Sequence, residues 1–473
     1  MLWSEPINAF KSRVAFQNFQ KKEEFQVTSP SLRFSNRQLR NMIAPLLAEQ
    51  FLLVLVGLSD TLIVSYAGEA AVSGVSLVNA FNTILIYLFT ALASGGAVVV
   101  SQYIGRKDFD KASQSASQLL MFSALFAVGL SLPVFLWKTP LLRLLFGRVA
   151  PAVMDACVTY LQISVYSFPA LAVYNAGAAL YRSVGKTGTT MNISIVANLI
   201  NVAGNLIGVF VLHAGVAGVA YPSLIARSFS AVVVTILCFR DHRGVRYRLH
   251  QIFTWNGALL SRILSIAVPN GVESGIFQLV KVALSSVVAL FGTYQIAANG
   301  IAQSIWSIAA LVSSAMGPVF ITVVGQCMGA GDTVQATLYF KKLMKLTLGI
   351  SLLWNALIFG ATLLLVNVYA VSPETKAYVI WLVLIHNAAN ALIFPFADPL
   401  GKGLRAAGDV IFTMTVSLVT TLGVRLVLSV IFGIVFNLGV IGIALAMCLD
   451  WLSRAVVFWW RFKGGRWQHF QVI

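Results

Sequence analysis

Charge is what this sequence has least of. Asp, Glu, Lys and Arg make up only 10% of its 473 residues, against about 25% in an average soluble domain. Acid is scarcer than base, with 16 Asp and Glu against 33 Lys and Arg, while 58% of the residues are hydrophobic. So little charge cannot cover the surface of a soluble fold, and that class is excluded. Cysteine is also sparse. Cys157, Cys238, Cys327 and Cys448 are widely scattered with no CxxC pair, so neither a disulfide nor a metal centre is expected. The five histidines (His213, His242, His250, His386, His469) are dispersed as well, and no HExxH, GxSxG or GxxxxGK[ST] occurs. Those absences argue against an enzyme, a catalytic residue set, a cofactor or an ATP-driven motor within the chain. The first 38 residues lack a short apolar core with a cleavage site. Residues 1–39 therefore read as a basic cytoplasmic tail, partly disordered or lying on the membrane surface.

What the chain does have is apolar length. A membrane-crossing helix needs about 20 mostly apolar residues, and such stretches follow one another from residue 40 to 461. Twelve spans are expected, at 40–66, 75–102, 113–137, 153–180, 190–212, 215–239, 262–290, 297–328, 338–369, 376–403, 409–434 and 438–461. The fold class is therefore an all-α integral membrane protein. The net charge of +17 would suggest nucleic acid in a soluble protein, but here the bases collect in the joints. RKDFDK (106–111), YRSVGK (181–186), RDHRGVRYR (240–248), YFKKLMK (339–345) and GKGLR (401–405) fall alternately on one side. The opposite joints are nearly free of positive charge, apart from Lys138, Arg143 and Arg148. By the positive-inside rule both termini face the cytoplasm, and no nucleic-acid partner is implied.

The one long polar break, 240–258, divides the membrane part into halves, 40–239 and 259–461, and 462–473 is a second cytoplasmic tail. The halves repeat. A gapless offset of 224 pairs Pro45 with Pro269, Glu49 with Glu273, Gly68 with Gly292, Gln102 with Gln326, Gly105 with Gly329 and Asp108 with Asp332. Near the fourth span the offset becomes 223, pairing Arg182 with Arg405 and Gly185 with Gly408. Six spans per half make the repeats parallel, two pseudo-symmetric bundles about an axis along the membrane normal. That is a transporter architecture.

Ionisable groups inside spans are costly and so are candidates for function. Glu49 and Asp60 lie eleven residues apart in span one, about 20° apart on one face and about 16 Å apart along the axis. Two readings stand for each: a cavity group, or a carboxylate solvating a helix end. Gln50 adjoins the same cavity set. Asn198, Asn201 and Asn205 form a polar stripe on span five, suited either to interhelical hydrogen bonding or to substrate and ion contact. Span seven carries Glu273 and Lys281, the latter either a counter-ion for Glu273 or structural. Asp398 lies between Pro395 and Pro399, which should break span ten beside a cavity. Arg425 occupies span eleven, and Asp450 with Arg454 has the i, i+4 spacing of an ordinary ion pair.

The segments PLLAEQFLLVLVGLSD (45–60), SYAGEAAVSGVSLVNAF, GGAVVVSQYIGR, PNGVESGIFQLVKVALSSVVALFGTYQIAANGIAQSI, VVGQCMGAGD and GLRAAGDVIFTMTVS resemble the multidrug and toxic compound extrusion (MATE) family over 40–461. The resemblance implies two lobes around a V-shaped cavity, rocking between access states, and antiport of amphipathic, cationic organic compounds against H⁺ or Na⁺. It places Asp60 at a first-span acidic position linked to cation coupling, Asn201 in the same network, and Glu273 at a C-lobe position implicated in cation binding. Asn205 stands where the family often has Asp, and an amide does not titrate. Asp398 lies one turn from the family's span-ten acidic position. The partners implied are a small organic molecule and the bilayer, with the chain monomeric in a bacterial cytoplasmic membrane. A flippase for a lipid-linked precursor, a narrow metabolite exporter and a non-transporting receptor or scaffold are the alternatives.

Overall fold

Backbone in hydrocarbon must satisfy its own hydrogen bonds, so each apolar stretch becomes a helix. The computed structural model describes residues 33–147, 149–240, 244–366 and 372–473. The tail before residue 33, Arg148, His242 and the 367–371 part of the ninth joint lie outside the described residues. The spans are α1 (Asn36–Ser65), α2 (Glu69–Gly105), α3 (Phe109–Leu136), α4 (Pro151–Ser183), α5 (Thr187–Val211), α6 (Ala217–Cys238), α7 (Gly257–Phe291), α8 (Thr293–Gly329), α9 (Thr333–Leu364), α10, α11 (Val410–Val435) and α12 (Gly439–Lys463). α10 is a broken span, Pro373–Leu392 followed by Phe394–Ala406 at 55°. There are thus eleven continuous spans among the described residues, or twelve with the broken one. Pro395 and Pro399 supply the break, as their missing N–H groups predict.

The repeat is written into the backbone. Residues with positive φ come in pairs at the repeat offsets: Gly68 and Gly292, Lys107 and Gly331, Gly185 and Gly408, His213 and Asn437, Gly215 and Gly439. Asp108 caps α3 by accepting from the Lys111 N–H at 3.1 Å, and Asp332 caps α9 in the same way from Gln335 at 2.8 Å. α5 ends in a π-helical segment, Ile207–Val211, and α11 in another, Ile431–Val435, at the same relative position. α11 carries a further π segment, Thr420–Leu426, that α5 lacks.

Small residues let the two lobes meet. α2 packs across the divide on α7 and α8. A Cβ on Gly105 would stand 2.1 Å from the Gln326 carbonyl oxygen, and one on Gly329 would stand 1.9 Å from that of Gln102. Around this double crossing, Gln102 Nε2 donates to the Ala406 carbonyl at 2.8 Å and Gln326 Nε2 donates to the Ser183 carbonyl at 2.7 Å. Thr322 adds a bond to the Arg182 carbonyl at 2.9 Å. The lobes are therefore closed on one another at the ends of α2, α4, α8 and α10, next to the basic joints.

The polar break is not a loose tether. Its short helix Leu249–Phe253 is lashed to α3, with Ser113 and Ser117 accepting from the Arg246 and Arg248 N–H groups at 3.2 and 3.1 Å. Gln118 Nε2 donates to the Gln251 carbonyl at 2.6 Å, and Arg248 pairs with Asp110. The C-terminal tail packs in the equivalent place on the other lobe. Trp467 is fully buried, and Gln468 reaches Thr337 of α9 at 3.2 Å.

Candidate substrate and ion sites

At the base of the N-lobe, Glu49 is buried and accepts from Arg182 Nη2 of α4 at 2.9 Å and from Thr190 of α5 at 3.3 Å, with Tyr174 at 3.5 Å. Gln50 beside it is half-buried. The C-lobe repeats the motif, Glu273 of α7 pairing with Arg405 of α10. Glu273 is thus held by a guanidinium, and its partner is Arg405 rather than Lys281. A carboxylate engaged by Arg has less capacity for a second cation.

Higher in the N-lobe, Asp60 accepts one hydrogen bond, from Asn205 Nδ2 at 2.7 Å. Asn205 also donates to Asn201 Oδ1 at 3.3 Å, and Asn201 Nδ2 donates to Ser223 of α6 at 2.9 Å. Asn201 and Asn205 are buried; Asn198 is half-buried, stays out of this chain, and its Nδ2 has no hydrogen-bond partner among the described residues. Glu49 and Asp60 both meet α5, as their shared face predicts. Arg227 of α6, which sequence reasoning passed over, donates to Ser167 at 2.8 Å and acts on Asp60 and Tyr160 only through its field. Its signal was legible, since an Arg amid an apolar span is as costly as an Asp.

The C-lobe is of the opposite sign. Asp450 is fully buried and takes both prongs of Arg454, at 2.9 and 3.0 Å. Arg425, on the extra π segment of α11, stands 3.8 Å from the same carboxylate and lies over the Phe277 ring at 4.8 Å. Lys281 and Arg425 line one cavity of about 80 Å³ together with Asn299, Gln303, Trp306 and His386. Asp398 is outside it, paired with Lys402 at 2.8 Å beside the α10 break.

A family model described as MatE matches residues 45–207 and again 269–431, more than half of the chain. The chain belongs to the MatE family. The two matches begin 224 residues apart, so the family unit is the repeat itself and the protein is an integral membrane member built from two copies of it. Among similar proteins is the uncharacterized transporter YisQ of Bacillus subtilis, 24% identical over 89% of this chain and 93% of that protein. The probable multidrug resistance protein NorM of Thermotoga maritima is 21% identical over 97% of each. Among solved structures, a MOP superfamily transporter from Pyrococcus furiosus, whose binding pocket is described as of reverse polarity, superposes with a TM-score of 0.84. That match is 18% identical and covers 90% of this chain and 95% of the other, and it speaks for the fold.

Proposed function

We propose that this chain is a secondary exporter of amphipathic organic compounds, driven by inward movement of H⁺ or Na⁺ and operating by rocking of its two lobes, with both termini in the cytoplasm. One observation carries the coupling half of this reading. Among the described residues, Asp60 is the carboxylate set deep within a span that has no Lys or Arg within 4.0 Å, whereas Glu49, Glu273, Asp398, Asp409 and Asp450 each have at least one. A lone acid with one amide donor has lone pairs left for a proton or a sodium ion. Coupling then requires only that the ion and the cargo favour different access states. The cationic cargo implied by the family resemblance finds its counter-charge at Asp60, while the C-lobe cavity has the opposite sign. That basic cavity favours, as a second reading, a flippase for a lipid-linked anionic precursor.

The test is reconstitution in liposomes with a Na⁺ gradient or a pH gradient imposed separately, following counter-movement of a fluorescent organic cation. Flux driven by one gradient and abolished in Asp60→Asn, but retained in Glu273→Gln, is the expected result. Equal flux in parent and Asp60→Asn would remove Asp60 from coupling. Absence of flux under either gradient would remove the organic-cation exporter and bring the lipid-linked substrate forward.

A further inference from the structure

The cavity of the C-lobe is lined by two cations, Lys281 and Arg425, and its lining residues include no acid. Arg425 approaches the buried Asp450, but Arg454 already takes both oxygens of that carboxylate. At 3.8 Å the Arg425–Asp450 contact is too long for a hydrogen bond. The Arg425 side chain is only 9% exposed, yet its Nε and Nη1 have no hydrogen-bond partner among the described residues. Glu273, Asp398 and Asp409 are likewise taken, by Arg405, Lys402 and Arg461. Two further buried atoms on the cavity wall have no hydrogen-bond partner among the described residues, the Trp306 indole Nε1 of α8 and His386 Nδ1 of α10. Buried donors left in this condition cost stability unless something polar meets them.

We infer that this cavity binds the carboxylate or sulfonate group of an organic anion. The oxyanion lies between Lys281 of α7 and Arg425 of α11, accepts from the Trp306 indole, and its adjoining ring or alkyl part lies against Phe277. The guanidinium lies 4.8 Å from the Phe277 ring centroid, and Arg425 sits on the π segment Thr420–Leu426 that α5 lacks. Arg is suited to this task, since its fork matches the two oxygens of such a group. A space of about 80 Å³ is several times what one water requires, about 10–15 Å³, and takes a headgroup rather than a whole drug-sized molecule. The N-lobe lacks the site: at the 224 offset of the two family-model matches, Lys281 corresponds to Gly57 and Arg425 to Asn201. The site stands on the C-lobe geometry and does not rest on the exporter reading or on its cationic cargo.

The experiment is calorimetric titration of the purified full-length protein in neutral detergent with benzenesulfonate, benzylammonium and benzyl alcohol. Benzenesulfonate is expected to bind, with the other two weaker by at least about tenfold. Lys281→Gln, at an exposed position that tolerates change, should weaken benzenesulfonate about tenfold, the loss of one charge-assisted contact. Arg425→Gln should remove binding, and Arg425→Lys should restore part of it. Equal affinity for the three compounds, a preference for benzylammonium, or indifference of benzenesulfonate to both Lys281→Gln and Arg425→Gln would overturn the site. Binding in detergent without flux in liposomes would sink the exporter and leave the anion site standing; flux without benzenesulfonate binding would do the reverse.

Discussion

A carboxylate inside a membrane helix must find a base, a proton or a metal ion, and the residues of this chain divide on which. Glu49 has Arg182, with Thr190 and Tyr174 around it, and its burial makes that pair structural. Breaking a buried pair by removing one partner leaves an uncompensated charge and costs about 3–5 kcal/mol. Arg182→Gln should accordingly lower the thermal midpoint of the solubilised protein by many degrees, and Glu49→Gln added to it should recover most of the loss. A double variant no more stable than the single one would show that Arg182 matters for its packing instead. Asp60 is different, because among the described residues its one hydrogen bond comes from an amide.

At the scale of helices, α5 and α6 also cross with backbone against backbone. A Cβ on Gly208, within the π segment Ile207–Val211, would stand 2.1 Å from the Gly218 carbonyl oxygen. Overpacking of this kind costs about 1–3 kcal/mol, and against backbone the upper end applies. Gly208→Ala should reduce both folded yield and thermal midpoint, whereas Gly129→Ala, which meets nothing within 4 Å, should leave them unchanged. Much of this level was legible beforehand. Runs of about 20 apolar residues marked the spans, and shared Pro, Gly, Gln and Asp positions marked the repeat, because these residue types answer to backbone geometry that recurs in each half. Partnerships across helices were not legible. Glu273 and Arg405 are 132 positions apart, and no local period links them, so Lys281 looked the nearer counter-ion. The same holds for the C-lobe cavity, whose walls come from α7, α8, α10, α11 and α12. The π segments were equally hidden, since one inserted residue in a turn leaves no mark on apolar patterning.

At the scale of the molecule, closure of the lobes depends on two glycines and two glutamines. Gly329→Ala would drive a methyl group into the Gln102 carbonyl and should push the lobes apart at the end that carries the basic joints. Ser101 is fully buried there, so a Ser101→Cys probe should react slowly with a maleimide in the parent background and at least about tenfold faster with Gly329→Ala added, as a shift in a two-state equilibrium requires. Unchanged labelling would mean that the crossing is not the gate. The crossing has a further consequence. Gln102 reaches into the second lobe as Gln326 reaches into the first, so the contact is self-complementary, the surface that two identical subunits share across a twofold axis. Within one chain it acts as an internal dimer interface. Two separate identical subunits would carry every substitution twice, and an acid gained on one side would face its own copy on the other. Fusion lifts that restriction from everything except the contact itself. The matched glutamines and glycines are the part that stays paired, and Asp60 in one lobe with Lys281 in the other is the asymmetry that joining the halves permits.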